Sequence, residues 1–341
     1  MSKTIYRFLL FILFFFILAV CIISCNQSEL KDHFISISQT SSIANHQEGD
    51  IVNFCNPGVK SKALLSTRFK NLDHLKTIVS ITYDQDYSKM DSNACRNSIV
   101  HLSYVSNGET IIRTMTSGIS QKDLSNLLTS DYLTQSSFAF SNPITLRQRR
   151  ELEKVNNLSR RKSYMFGPGD VAFYDLAEAS FRHINTPNLA FRNARDSTEK
   201  GYINTFNHIT AQAIMTSFFS EELADFIADL HERYNMPELT SGRFRENQLV
   251  DSIDNPMDNY VDIINNEIGQ KIGIKLIEKY KLNERTECTP VLLAAYLNDI
   301  QSYYTWALEI GLDNFRPTDE VVKKFSNKMN KLLKGPRITF Q

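Results

Sequence analysis

The sequence predicts a small α+β module at residues 48–140, followed by a mainly α-helical bundle domain at residues 141–341, so that the chain is mostly helical overall. Two observations predict this fold class. Short segments rich in β-branched residues precede residue 140, and helical patterns follow it. Residues 203–220 contain no Asp, Glu, Lys or Arg. Because a surface helix carries a charged face, a helix without charge is expected in the centre of a bundle.

The predicted strands lie in the first module. Residues 75–83 are rich in β-branched side chains and predict a strand. Residues 98–105 and 110–114 predict a hairpin, because the Asn-Gly pair between them suits the positive-φ positions of a type I′ turn. A helix capped by Ser120 is predicted over residues 120–133.

The second domain is predicted from helical patterns and their caps. The predicted helices cover residues 170–184, 203–220, 220–235, 257–280, 290–308 and 317–334. Ser220 is the predicted N-cap of the third of these, with Glu221 and Glu222 in its first turn. Residues 201–273 form the core motif region of this domain.

Two histidines are expected to meet within the core motif region. His208 and His231 are equally far from the turn that joins helices 203–220 and 220–235. At about 1.5 Å per residue both lie roughly 17 Å from that turn, at one level of a helical hairpin. The apolar neighbours of His231 predict that its ring points inward, whereas Glu232 is predicted on the polar side of the same helix.

Further polar residues are expected beside these histidines. Successive helical residues turn by about 100°, which places Asp262, Asn265 and Asn266 on one side of the helix that begins near residue 257. Gly269 and Gly273 lie beside this stripe and allow a neighbouring backbone to come close. The two histidines, the aspartate and the two asparagines are therefore expected to converge between three helices.

Two hypotheses of function remain open for this cluster. In the first, the domain is a hydrolase in which His208 or His231 is the general base, Asp262 orients it, and Asn265 or Asn266 binds substrate. In another form of this hypothesis, both histidines and Asp262 bind a zinc ion as cofactor. In the second, the protein binds an envelope partner without catalysis, and the cluster is a structural hydrogen-bond network.

The order of these polar residues resembles a known family. The matching residues are Phe206, His208, Ala213, Met215, His231, Glu232, Met257, Asp258, Asp262, Asn265, Asn266 and Gly269. They resemble an uncharacterised bacterial helical domain that reads F-R-H-A-x-W-x-A-x-M, then A-H-E, then M-D-L-x-N-N-x-x-G. The chain departs from it at Thr205, Asn207 and Ala211, and in a long insertion at residues 235–255. The resemblance implies a helical domain and no known activity.

The N-terminus predicts export and lipidation. Lys3 and Arg7 precede an unbroken apolar run at residues 8–23, which is shorter than the roughly 20 residues of a spanning helix. The run ends before Cys25 in a segment that resembles the lipobox of bacterial lipoproteins. Residues 1–24 are therefore the predicted signal peptide, and acyl chains on Cys25 would hold the protein on a membrane.

The predicted signal peptide and lipid anchor determine where the mature chain is expected to lie. Residues 25–47 would form a tether, and the expected location is the bacterial cell envelope at the outer membrane. Removal of the signal leaves 36 basic and 38 acidic residues, so the charge gives no indication of a nucleic-acid partner. A protein or cell-wall partner is not identified by the sequence. Outside the cytoplasm a disulfide between Cys55 and Cys95 is one expectation, and free thiols are the other.

Overall fold

The computed structural model describes residues 58–85, 98–127, 130–245, 247–248 and 256–334. Within these ranges the predicted fold class is confirmed, because a three-stranded antiparallel sheet is followed by a mainly helical domain. The predicted signal peptide, the lipidation site Cys25, the tether, and the cysteines Cys55 and Cys95 lie outside the described residues.

The elements follow one another along the described chain. A 3₁₀ turn at Ser66–Arg68 and helix α1 (Leu72–Lys76) precede strands β1 (Val79–Gln85), β2 (Ser98–Ser106) and β3 (Glu109–Met115). The helices that follow are α2 (Gln121–Leu127), α3 (Tyr132–Ser141), α4 (Pro143–Arg147), α5 (Arg149–Ser159), α6 (Ser163–Phe166), α7 (Phe173–Arg182), α8 (Pro187–Ala190), α9 (Asn204–Phe218), α10 (Glu221–Tyr234), α11 (Glu238–Ser241), α12 (Pro256–Tyr280), α13 (Pro290–Leu308) and α14 (Glu320–Lys334). A 3₁₀ turn at Ala194–Ser197 and a π turn at Glu199–Ile203 precede α9.

The predicted hairpin is confirmed. Asn107 and Gly108 adopt φ angles of 50° and 77°, as their turn requires. Strand β2 pairs with both neighbours in the order β1-β2-β3, and its alternate residues Val100, Leu102 and Tyr104 are buried. This inner face joins the same hydrophobic core as the helices.

The first strand begins later than the sequence predicts. Residues 72–76 form helix α1, because the side chain of Asn71 accepts a hydrogen bond from the backbone N–H of His74 at 2.9 Å and caps that turn. The extended strand therefore starts at Val79 instead of residue 75.

The predicted helix at residues 120–133 is two helices. Ser120 precedes α2, and Asp123 accepts hydrogen bonds from its backbone N–H and hydroxyl at 2.8 and 2.7 Å. Helix α2 ends at Leu127, and α3 begins at Tyr132. Asp131 starts the second helix because its carboxylate accepts from the backbone N–H groups of the first turn.

Helix α9 is central, as its uncharged sequence predicts. Nine of its fifteen residues are buried, and its neighbours include α7, α10 and α12. The predicted cap of α10 is also confirmed, since the Ser220 hydroxyl accepts from the backbone N–H of Leu223 at 3.1 Å. The turn at Phe219 and Ser220 therefore makes α9 and α10 the expected hairpin.

Helices α9 and α12 run in parallel in a fixed register. Their hydrogen-bonded side-chain pairs are Asn204 with Asp262, His208 with Asn266, and Gln212 with Gln270. Each pair is separated by 58 residues, so the contact advances by four residues on both helices at once.

Two glycines of α12 make this contact close. A Cβ added to Gly269 would lie 2.7 Å from the carbonyl oxygen of Ile209, and one added to Gly273 would lie 2.7 Å from that of Ala213. The backbones of α9 and α12 therefore approach as the sequence predicts for these positions.

An ionic network joins the sheet to the helices. Arg113 of β3 forms ion pairs with Asp225 and Asp229 of α10, and with Glu267 of α12 at 3.3 Å. Lys271 of α12 adds a hydrogen bond to Glu109 of β3 at 3.1 Å. The strands and the helices are thus held by polar contacts as well as by the shared core.

Two further observations concern the described residues. No helix among them combines the length and the apolar character that crossing a bilayer requires. Cys288 is a buried free thiol, and burial raises its pKa to about 12.

Substitution of Gly269 tests the close helix contact. We expect Gly269→Ala to lower the free energy of unfolding by about 1 to 3 kcal/mol, because the new methyl group overlaps Ile209. Intrinsic helix propensity acts in the opposite direction and favours Ala by about 1 kcal/mol. Urea unfolding of the full-length protein measures the change, with Lys275→Ala on the exposed side of α12 as the control. A stabilised Gly269→Ala variant would contradict the close approach.

The raised pKa of Glu267 predicts that the stability of the protein depends on pH. Burial raises its pKa to about 7, although Arg113 opposes the shift. The folded protein keeps a proton that the unfolded chain releases between about pH 4.5 and 7, so Glu267 lowers stability as pH rises through this window. As pH rises from 4.5 to 8, the free energy of unfolding of Glu267→Gln is expected to increase by about 1 to 3 kcal/mol relative to that of the wild type. Urea unfolding across this range is the measurement, with the exposed Glu278→Gln as the control. A difference that does not vary with pH would refute this assignment.

Candidate functional site

Five of the six residues predicted for the site lie in one cluster between α9, α10 and α12. They are His208, His231, Glu232, Asp262 and Asn266. The ring centroids of the two histidines are 5.9 Å apart, so the helical hairpin brings them to one level. The cluster draws one side chain from α9, two from α10 and two from α12.

His208 is the centre of the cluster. Its Nδ1 atom lies 2.9 Å from Oδ1 of Asn266, and its Nε2 atom lies 3.3 Å from Oδ2 of Asp262. Because an amide oxygen only accepts hydrogen bonds, Nδ1 carries the proton in this arrangement. Nε2 then faces the carboxyl group of Asp262.

The hydrogen bonds continue on both sides of His208. The amide nitrogen of Asn266 donates to Oε1 of Glu232 at 3.1 Å. The amide nitrogen of Asn204 donates to both oxygens of Asp262, at 3.0 and 3.2 Å. One connected series of polar contacts therefore crosses all three helices.

Of the two predicted directions on α10, that of Glu232 is wrong, whereas the ring of His231 does face His208. Glu232 is only 2% exposed, whereas His231 lies at the surface of the cluster. The buried positions of α10 include Ala224, Ala228 and Glu232, which are four residues apart and face α12. The sequence-based assignment placed this stripe about one residue too early, because Ile227 and Ala228 are both apolar.

Asn265 lies outside the cluster. Its Oδ1 atom accepts from the backbone N–H of Leu64 at 2.9 Å, and its amide nitrogen donates to the Leu64 carbonyl at 2.8 Å. Asn265 is fully buried, and both ends of its amide are used by the backbone of the segment that precedes the sheet. This asparagine therefore holds that segment against α12 and has no contact left for a substrate.

Burial perturbs both carboxyl groups of the cluster. It raises the pKa of Glu232 to about 8, and the charges of Asp262 and Asp258 add to the effect against that of His208. Burial also raises the pKa of Asp262 well above its ordinary value, with a further contribution from Asp258 and opposition from Asn204 and Lys200. Glu232 can therefore hold a proton near neutral pH, as catalytic carboxyl groups do.

His231 is held as a neutral imidazole. Desolvation lowers its pKa to about 4, and electrostatic effects of His208 and Lys200 act in the same direction. Its Nδ1 atom lies 3.2 Å from the side-chain oxygen of Gln121, at the start of α2. Nδ1 therefore carries the proton, and the lone pair of Nε2 is available to accept a proton or to bind a metal.

Several residues around the cluster were not predicted as site residues. Lys200 contacts Asp258 at 3.2 Å, and Asp258 precedes Asp262 by one helical turn. The four-residue spacing of Asp258 and Asp262 is a signal in the sequence, as is that of Asn204 and His208. Gln121 has no such signal, because it reaches the cluster only through the packing of α2 on α10.

The donor atoms that can meet at one metal ion differ from the predicted set. One donor atom each of His208, His231 and Glu232 lie within 4.8 Å of one another. Asp262 contacts His208 at the ring nitrogen opposite to the one nearest Glu232. Among the described residues, Glu232 therefore takes the place that the sequence analysis gave to Asp262.

Comparisons of the chain with models of known protein families, with curated proteins and with solved structures give no match. The function is therefore argued from the geometry and chemistry of this cluster.

Proposed function

We propose that the protein is a lipid-anchored hydrolase of the bacterial cell envelope, and that its reaction takes place at the cluster around His208. The substrate would be a molecule of the envelope or its surroundings, because the predicted signal peptide exports the chain and lipidated Cys25 would anchor it there.

One observation carries the proposal. Two imidazoles and two buried carboxyl groups, contributed by three helices, converge where His231 reaches the solvent. Buried carboxyl groups cost stability unless they are fully paired, and apolar residues would pack the same space at lower cost. Groups whose pKa values are moved toward neutrality by burial are typical of sites that transfer protons.

The contacts of the cluster favour water as the nucleophile. The side chains described in contact with the two imidazoles are Gln121, Glu232, Asp262 and Asn266, and none of them carries a hydroxyl or thiol group. In the proposed reaction the oxygen of a water molecule bonds to the substrate while His208 or His231 takes its proton. The bond to the leaving group then breaks, and the same proton is returned to that group. Asp262 would orient His208, as carboxylates orient imidazoles in many hydrolytic sites.

The lipid anchor is tested by mass spectrometry of the mature N-terminus. We expect wild-type protein from bacterial membranes to begin at Cys25 and to carry acyl chains, because the preceding segment resembles a lipobox. Cys25→Ser is expected to lack these acyl chains and to be released from the membrane more readily. A wild-type N-terminus without acyl groups would refute the anchor.

Hydrolysis is tested on full-length protein in detergent. The probes are p-nitrophenyl acetate, bis(p-nitrophenyl) phosphate and purified peptidoglycan. We expect turnover of at least one probe, and a decrease in kcat/KM of about 10² to 10⁴-fold in His208→Ala, the range that general acid–base groups contribute. His101→Ala is the matched control, since the contacts of the His101 ring in the described part of the chain are with Asp84 and Thr114 at the exposed sheet surface.

Two outcomes would contradict the hydrolase. One is the absence of turnover with all three probes. The other is turnover that His208→Ala leaves unchanged. A loss of thermal stability in His208→Ala without any wild-type activity would support the alternative, in which the cluster is a structural network of a binding protein.

A further inference from the structure

Three side chains of the cluster bring potential metal-binding atoms close to one another. Nδ1 of His208 and Oε1 of Glu232 are 3.9 Å apart, and a donor atom of His231 lies within 4.8 Å of both residues' donors. Ligands of a tetrahedral zinc ion are about 3.4 Å apart, given bond lengths near 2.0 to 2.1 Å. Small side-chain rotations therefore suffice to bring the three donor atoms onto one ion.

Each histidine is oriented from its other ring nitrogen. Gln121 accepts from Nδ1 of His231, which leaves Nε2 free for an ion. Asp262 faces Nε2 of His208, which leaves Nδ1 on the side of Glu232. A carboxylate or amide that fixes the second nitrogen of a ligand histidine is the usual arrangement in metal sites.

Asn266 occupies the contacts that an ion would take. Its oxygen accepts from Nδ1 of His208 at 2.9 Å, and its nitrogen donates to Oε1 of Glu232 at 3.1 Å. One amide group thus bridges two of the three donor atoms. When an ion replaces the proton on Nδ1, the amide turns away or contributes its own oxygen as a ligand.

The charge around the cluster favours a cation. Glu232, Asp258 and Asp262 are all buried, at 2%, 6% and 6% exposure. Lys200 contacts Asp258, and the ring of His208 lies against Glu232 and Asp262. A divalent ion beside buried carboxyl groups favours their ionised form and offsets its charge, so this lining suits a bound cation.

We propose that His208, His231 and Glu232 bind one divalent transition-metal ion, with zinc as the ion that their donor set fits best. Two imidazoles and a carboxylate leave a fourth position for water. The catalytic use of this ion rests on the proposed hydrolase, because the ion would activate the attacking water. Binding of the ion is independent of that activity.

Zinc binding is measured on full-length protein in detergent after treatment with EDTA and removal of the chelator. Titration with zinc chloride against a chromophoric chelator gives the stoichiometry and the affinity. We expect one zinc ion per chain, and a loss of affinity greater than about 100-fold in His231→Ala and in Glu232→Gln. Asp262→Asn is expected to cost about 10 to 100-fold, as partners of ligand histidines do.

The controls distinguish the loss of a metal-binding side chain from unfolding of the variant protein. His231 is at the surface, so His231→Ala is expected to keep the wild-type circular dichroism spectrum. His101→Ala removes an exposed histidine elsewhere and should leave zinc affinity unchanged. Absence of stoichiometric zinc in the wild type, or a His231→Ala affinity within twofold of wild type, would overturn the proposal.

The metal site and the hydrolase can fail separately. If the wild type binds no zinc and still hydrolyses a probe, the metal site is refuted and the hydrolase stands. If it binds zinc through these three residues and hydrolyses no probe, the metal site stands and the hydrolase is contradicted.

Discussion

The close parallel contact between α9 and α12 is the constraint on which the rest of the structure depends. Gly269 and Gly273 let the two backbones approach, and the register repeats every four residues along both helices. The pairs 204–262 and 208–266 are successive steps of this one register. The polar site is therefore part of the main helix contact of the domain, and packing of the glycines determines the distances within it.

The same contact explains how acidic groups are retained in the core. Asp262 and Glu232 approach His208 from different helices, so each is paired although neither is solvated. Amide side chains complete the contacts, because Asn204 and Asn266 offer donors to the carboxylates. The arrangement satisfies most hydrogen bonds of the cluster and keeps two carboxyl groups beside an imidazole, which suits proton transfer or cation binding.

Much of this arrangement could be predicted from the sequence. The missing charges of residues 203–220 indicated the central helix, and equal distances from a turn brought His208 and His231 to one level. The direction of Glu232 could not be predicted, because apolar residues flank both sides of its stripe on α10. Contacts with Gln121 and Leu64 depend on elements distant in sequence, and local spacing holds no information about them.

Asn265 and Asn266 are neighbours in sequence but have different structural roles. This difference determines which fragment of the chain can retain the site. Asn266 belongs to the cluster, whereas Asn265 binds both backbone groups of Leu64 in the segment before the sheet. Thr205 of α9 also donates to the Leu64 carbonyl, at 3.1 Å. A helical fragment beginning at residue 141 would leave these buried polar groups without the hydrogen-bond partners that Leu64 provides, next to the site. We therefore expect the cluster to keep its geometry only in a chain that includes the segment around Leu64.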